Sequence, residues 1–448
     1  MASAVPLVAQ GHAARPALGK GATEALVARY AAAAHWVQTV VVLLSLNAHW
    51  HPAGAEMLVA AMRERDPRLR AFGLEALLRS DEGLLPSVAT TALLDELVQR
   101  QLGSSNERYR SRVELALARL APDAGVSGKR GWARWWRENR EQHAPAAWAE
   151  AAQPSGDGGG TAAAANRAFD LYQSGLELMI CIDSTGSMQP TIDALAVALG
   201  DMVDILDGIS PKLRLGIVHY KDAGELGASG AKVIQPLNKN IKTARKKLEK
   251  LRAFGGGDLP EAVLGGLDLA LHKKMKWRPD ANKLVIVIGD APPHPQQASQ
   301  LVELAQAAYE RPGQHGLDRS KPVTGARKKS TPFLTSTMGV FLKFGPGVPV
   351  QGLQQFQASQ ERMRADFERV AAAGGGVFVE VEFVIDSVQP KTSKERRAER
   401  EAGGGLADAA TRKIVEHILV LSFGERFRVE MRDFVRVFYE YKEAGLIR

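Results

Sequence analysis

A chain of 448 residues with 45% hydrophobic and 24% charged side chains has room for a sizeable core and about two to four domains of ordinary size. Its single cysteine, Cys181, excludes a disulfide framework, and no segment approaches the roughly 20 consecutive apolar residues of a membrane span. A net charge of +8, with a pI near 9.4, favours acidic partners or anionic surfaces without selecting one.

Met1-Ala2-Ser3-Ala4-Val5 lacks the basic start and apolar core of a signal peptide, so a cytoplasmic location is expected. Residues 1–24, rich in Ala, Gly and Pro, read as disordered. Helical spacing governs residues 25–150. The longest apolar stretch, 37–46, is interrupted by Gln38, Thr39 and Ser45 and fits a buried helix. Asp66-Pro67-Arg68-Leu69-Arg70 is echoed 40 residues on by Asn106-Glu107-Arg108-Tyr109-Arg110, and an apolar helix face follows each. With preceding helices near 55–63 and 91–101, this turn residue, Arg-x-Arg and helix at such a period resembles HEAT repeats. A generic helical bundle is the alternative. Trp132, Trp135 and Trp136, interleaved with Arg134 and Arg137, have the composition of a base-stacking surface but read better as the cap that covers a terminal repeat.

Residues 151–166 form a Gly/Ala-rich linker, after which the periodicity changes. The spacing predicts a strand over 176–182, then a helix with Ile192, Leu195, Leu199, Met202 and Leu206 on one face. A strand at 213–220 and an antiparallel edge strand at 232–237 follow. Ile241, Ala244, Leu248 and Leu251 mark a second helix. Its other face carries Lys239, Lys242, Arg245, Lys246, Lys247, Lys250 and Arg252 against a single acid, Glu249. Val263, Leu267 and Leu271 mark a third helix, 302–309 a fourth, and 284–288, 340–344 and 377–384 three more strands. Strands alternating with helices predict an α/β domain over 167–386, a doubly wound, mostly parallel sheet. A basic loop over 311–336, containing Arg327-Lys328-Lys329, interrupts it. Residues 387–448 read as a charged connection and C-terminal helices, with Phe423, Phe427, Phe434, Phe438 and Tyr441 available to pack onto the sheet domain.

Three segments carry chemistry. The apolar strand ending in Ile180-Cys181-Ile182 stops at Asp183-Ser184-Thr185-Gly186-Ser187, which presents a carboxylate and hydroxyls at +2 and +4 where open parallel sheets bind ligands. A second apolar run, Leu284-Val285-Ile286-Val287-Ile288, ends in Gly289-Asp290-Ala291-Pro292-Pro293. Between them lies Gly255-Gly256-Gly257-Asp258-Leu259-Pro260-Glu261, read as a flexible loop leading into a helix whose first turn holds Pro260 and Glu261. Hard oxygen donors converging from three loops suit Mg²⁺ or Mn²⁺. The Gly-rich segment lacks the Lys-Ser/Thr of a phosphate-binding loop. His294 reads as a surface residue, His219 as a packed core histidine and Cys181 as a buried thiol.

Asp183-x-Thr185-x-Ser187 after an apolar strand, with Asp290 after a second, resembles the metal-ion-dependent adhesion site of von Willebrand factor type A domains, over about residues 170–384. The resemblance implies that Asp183 holds a divalent metal largely through water, that Ser187 ligates it directly beside Thr185, and that Asp290 accepts hydrogen bonds from metal-bound water. The family's remaining threonine falls at Gly257, next to Asp258, so Asp258 stands in its place or the loop contributes nothing directly. A third carboxylate there would tighten metal binding and make the ion a weaker Lewis acid toward an incoming carboxylate.

With no activated nucleophile or oriented base nearby, the sequence points to a non-enzymatic, metal-dependent protein-interaction module on a helical-repeat scaffold, intracellular and bacterial in style. Its partner would be a protein with an exposed acidic residue. Nucleic-acid or ribonucleoprotein binding through the basic helix, or service as an adaptor for a separate AAA-type ATPase, are the alternatives.

Overall fold

The computed structural model describes residues 18–46, 48–148, 163–222, 224–256, 260–315, 330–344, 353–385 and 405–447. Most of the N-terminal stretch, most of the Gly/Ala linker, the basic triplet at 327–329, the charged segment before residue 405 and the Gly257-Asp258 pair lie outside them. The chain divides into two compact units, residues 1–169 with 426–448, and residues 170–425.

The first unit is helical: α1 (Lys20–Ala31), α2 (Trp36–Ser45), α3 (Ala55–Arg63), α4 (Pro67–Leu78), α5 (Thr91–Asp95), α6 (Glu107–Leu120) and α7 (Gly128–Asn139). A π-helical turn, Glu96–Arg100, prolongs α5. The two echoing sequences open α4 and α6 in the same way. Asp66 caps α4 by accepting from Arg68 N–H, and Asn106 caps α6 by accepting from Tyr109 N–H. Helix α2 is buried on every face, and the region fits helical repeats. Trp132 and Trp136 are buried, and Trp136 Nε1 donates to Asp95 at 2.8 Å.

The C-terminal helix Arg428–Glu443 departs from expectation, because it completes this helical unit and not the sheet domain. Phe434 packs its ring at a tilt against Phe72 and Trp36, and Tyr441 Oη donates to buried Glu75. The aromatic spacing foretold a buried face, but spacing carries no information about which core receives it.

Helix α8 (Ala163–Ser174) spans the division at residues 169 and 170, so the last linker positions, 163–166, are helical. The sheet of the second unit contains β1 (Leu176–Asp183), β2 (Arg214–Tyr220), β3 (Ala231–Asn238), β4 (Asn282–Gly289), β5 (Phe333–Phe344) and β6 (Gly375–Ile385), in the order β3-β2-β1-β4-β5-β6. Only β3 runs antiparallel, paired to β2 at the edge. Central β1 is buried at every residue, whereas β3 alternates, as two-sided and edge burial require. Helices α9 (Gln189–Ile209), α10 (Ile241–Lys250), α11 (Val263–Leu271), α12 (Ala298–Glu310), α13 (Leu353–Ala373) and α14 (Gly405–Phe423) flank the sheet.

Three boundaries differ from the sequence reading. Strand β5 begins at Phe333, inside the span assigned to the basic loop. Its first half, Thr335-Ser336-Thr337, is polar but buried, with Thr337 Oγ1 donating to the carbonyl of Phe367. Helix α13 was not foreseen because Gln360 and Asp366 share its buried face with Met363, Phe367 and Val370. Each of those large apolar side chains contributes about 1.5–3 kcal/mol by burial. Pro260 and Glu261 precede α11, which starts at Val263, and do not form its first turn.

Candidate metal centre

The parallel register sets Asp183 opposite Tyr220 on β2, and aligns Ile182 with Ile288 on β4. The β1 and β4 carboxylates therefore emerge side by side at the carboxyl end of the sheet. Gly289 permits this closeness: a Cβ there would lie 2.5 Å from Tyr220 Oη and 3.6 Å from Asp183 Cβ. Tyr220 Oη itself donates to the carbonyl of Ile288 at 2.9 Å.

Asp183 is fully buried. Its Oδ1 accepts from both the N–H and the Oγ1–H of Thr185, each at 2.8 Å. Its Oδ2 is buried with no hydrogen-bond partner among the described residues. Burial pushes the carboxyl well above its ordinary range, and the charges of Asp290 and Asp222 add to this against the two Thr185 bonds. Ser187, exposed at the mouth, donates to Asp290, whose burial nonetheless raises its pKa from 3.8 to about 6. Of the five residues predicted from sequence, the fold brings Asp183, Thr185, Ser187 and Asp290 together. Asp258 lies outside the described residues.

Two further acids belong to the same region. Asp222 follows the end of β2, and buried Glu261 is tied to the β4 loop by its N–H donating to Pro292 O at 2.9 Å. The two carboxyls share a hydrogen bond. Burial first, then the charge of Asp183 and that bond, push Glu261 up to about 11, so it holds a proton at neutral pH. Asp222 was findable: Lys221-Asp222 closes an apolar strand just as Asp183 and Asp290 do.

The Gly-rich segment forms one wall. Gly186 N–H donates to Gly255 O at 3.2 Å, Phe254 N–H to Ser184 O at 3.3 Å, and Ala253 N–H to Gln189 Oε1 at 2.9 Å. Gly255 and Gly256 adopt φ values of 78° and 88°, where a side chain is strained, and a Cβ on Gly256 would press on Thr185 at 3.1 Å. Buried Lys221 pins the segment by donating to Phe254 O and lying under the Phe254 ring, 3.1 Å from its centre.

His219 is packed as expected, its Nδ1 2.9 Å from Ser184 Oγ, and burial lowers its pKa to about 4. Cys181 is buried, its thiol pushed up by desolvation. His294 is half buried, not a surface residue, and its shielded Nε2 has no partner among the described residues.

A resident hard cation fits this donor set. Asp183 Oδ2 is an orphaned acceptor beside a second carboxylate, flanked by the Thr185 and Ser187 hydroxyls, all oxygen donors. Among the described residues, no three Asp, Glu, His or Cys side chains group tightly enough to hold a metal by themselves. No helix among the described residues is long and apolar enough to cross a membrane.

Residues 177–310 match a family model described as von Willebrand factor A domain. Two curated proteins are similar over 124 residues each. The α-protein kinase vwkA of Dictyostelium discoideum is 33% identical over 27% of this chain and 19% of its own length. An ariadne-like RING finger protein, R811, of Acanthamoeba polyphaga mimivirus is 32% identical over 27% of this chain and 12% of its own. The chain thus spans less than a fifth of the length of these relatives. Among solved structures, the SpRpn10 VWA domain aligns at 11% identity with a TM-score of 0.28, covering 53% of this chain and 94% of that one.

Proposed function

A von Willebrand factor A domain occupies residues 177–310, and from that premise we propose that the protein is a non-enzymatic, divalent-metal-dependent protein-interaction module carried beside a helical-repeat unit. The observation that carries the reading is the buried, unpartnered Oδ2 of Asp183 next to the Ser187–Asp290 pair. Asp183, Ser187 and Asp290 would hold Mg²⁺ or Mn²⁺, and Thr185 orients Asp183 through its two bonds to Oδ1. When bound, the cation would offer an open coordination position to a carboxylate of a protein partner. Gly255 and Gly256 add no side chain of their own to that mouth, the Glu225 carboxylate lies against both, and Lys221 fixes the loop that borders it.

Titration of the purified chain with Mg²⁺ and Mn²⁺, by calorimetry and thermal shift, tests this. Stabilisation is expected in the parent and is expected to vanish in Asp183→Ala; a response that survives the substitution, or none in the parent, removes the reading.

Protons compete with the cation at Asp290. With its pKa at about 6, and with Asp183 also raised by burial, metal affinity is expected to fall as pH drops through this range, by about tenfold per pH unit for each proton displaced. The metal-free protein behaves oppositely. A carboxyl whose folded pKa exceeds its unfolded value contributes stability that is complete below pH 4 and is lost as pH rises through about 6. Melting curves with EDTA and with Mg²⁺ should therefore diverge between pH 5 and 7, and parallel curves would refute the assignment of Asp290.

A further inference from the structure

We propose that the basic face of α10 is an extension of the metal mouth that docks an acidic segment of the same protein partner, so that one partner carboxylate goes to the cation while neighbouring acids lie along the helix. The proposal rests on the metal-dependent reading above and specifies its partner.

Three observations converge. First, α10 is sharply two-sided. Ile241, Ala244 and Leu248 are buried, while Lys242, Arg245, Lys246 and Lys250 are exposed, as are Lys239 and Arg252 just beyond its two ends. Arg245 is neutralised by Glu249 at 2.9 Å, but Lys239, Lys242, Lys246 and Lys250 have no acidic partner among the described residues. Unpaired like charges on one helix, about 15 Å long at 1.5 Å per residue, repel one another and are relieved by an anionic chain. Second, the stripe borders a concavity. Arg245 lies flat over Gly200, where a Cβ would meet its guanidinium at 2.8 Å, and with Val203, Lys242, Lys246 and Glu249 it lines a depression of about 480 Å³ between α9 and α10. Third, the helix runs directly into the site. Residues 251–256 leave its C-terminus and bond to Ser184, Gly186 and Gln189, the turn that presents Thr185 and Ser187. At this junction stands Phe254, 64% exposed although large and apolar, its ring backed by the Lys221 ammonium.

A cation that takes a carboxylate, an exposed aromatic and a stripe of unpaired lysines form one continuous path of complementary charge. A nucleic acid fits the path less well. Sequence-tolerant strand binding uses aromatics on which successive bases stack, and Phe254 is the only exposed aromatic ring on this face among the described residues. Reversing exposed lysines leaves the buried side of α10 untouched, so fold and metal response serve as internal controls.

The full chain is titrated with a labelled oligoglutamate peptide and, separately, with an oligouridylate of equal length, in Mg²⁺ and in EDTA. The parent, Asp183→Ala and the triple variant Lys242→Glu/Lys246→Glu/Lys250→Glu are compared. The peptide is expected to bind the parent in Mg²⁺ and to weaken by at least about tenfold in the triple variant, since several exposed charge contacts become repulsive. The Mg²⁺ thermal shift of that variant should equal the parent's. Peptide binding undiminished by the triple reversal overturns the docking proposal while leaving the metal reading intact. Helix-dependent binding that ignores both EDTA and Asp183→Ala overturns the coupling of the two, and no Mg²⁺ shift in the parent removes the metal reading itself. Preferential binding of oligouridylate, lost in the triple variant, would replace the acidic partner with a nucleic acid.

Discussion

Replacing Asp433 with alanine is expected to destabilise the helical unit by about 3–5 kcal/mol, the usual effect of leaving a buried charge without its partner. Asp433 is fully buried on the C-terminal helix and accepts from Arg79 Nη1 at 2.5 Å. Arg79 is itself 93% shielded, and its only other hydrogen bond among the described residues is a weaker one from Nη2 to Leu43 O at 3.3 Å. Without the carboxylate, a guanidinium stays buried and unpaired, and Arg436 loses one of its acids. Nearby Glu75, held by Arg112 and Tyr441, does not substitute, because its oxygens are already occupied. Denaturant titration followed by tryptophan fluorescence reports this cleanly. Trp36, Trp50, Trp132, Trp135, Trp136 and Trp148 are in the helical unit and Trp277 alone is in the sheet unit. A loss below about 1 kcal/mol, the range of an exposed pair, would mean that the C-terminal helix does not close this core.

The second large effect has the opposite sign. Asp183→Asn is expected to stabilise the metal-free sheet unit by about 1–3 kcal/mol while abolishing its response to Mg²⁺. Asparagine keeps an Oδ1 acceptor for the Thr185 N–H and Oγ1–H, so the turn is preserved. What it removes is a buried carboxyl that desolvation and the neighbouring Asp290 and Asp222 charges hold far from its preferred ionisation state. A purely structural aspartate paired with a buried cation, such as Asp433, is expected to lose stability on the same change. Melting in EDTA, with and without the substitution, separates the two: a lower melting temperature for the asparagine variant would assign Asp183 to the scaffold.

The contrast between these two aspartates shows what a single sequence reveals. Asp183 and Asp290 were legible because each terminates an unbroken apolar strand, a pattern that simultaneously predicts a buried parallel strand and a carboxylate at its ligand-binding end. Asp222 obeys the same rule after β2 but was passed over, and Glu261 was assigned to a helical turn it does not enter. Their hydrogen bond exists only because two loops, 39 residues apart in the chain, meet above the sheet. Asp433 had no legible role, since its partner Arg79 lies more than 350 residues away.

By itself the sequence determined the two kinds of architecture, the strand and helix order through β4, the edge position of β3 and the placement of Asp183 and Asp290 at the ends of apolar strands, because hydrophobic periodicity and strand termini are local properties. The tertiary structure alone decided which core the C-terminal helix completes, that α13 buries a half-polar face, that β5 begins in a buried run of threonine and serine, and that Asp183 Oδ2 is left without a partner among the described residues. Those outcomes depend on long-range pairing and desolvation, in which a residue's environment is set by chain segments far from it, and no local pattern encodes them.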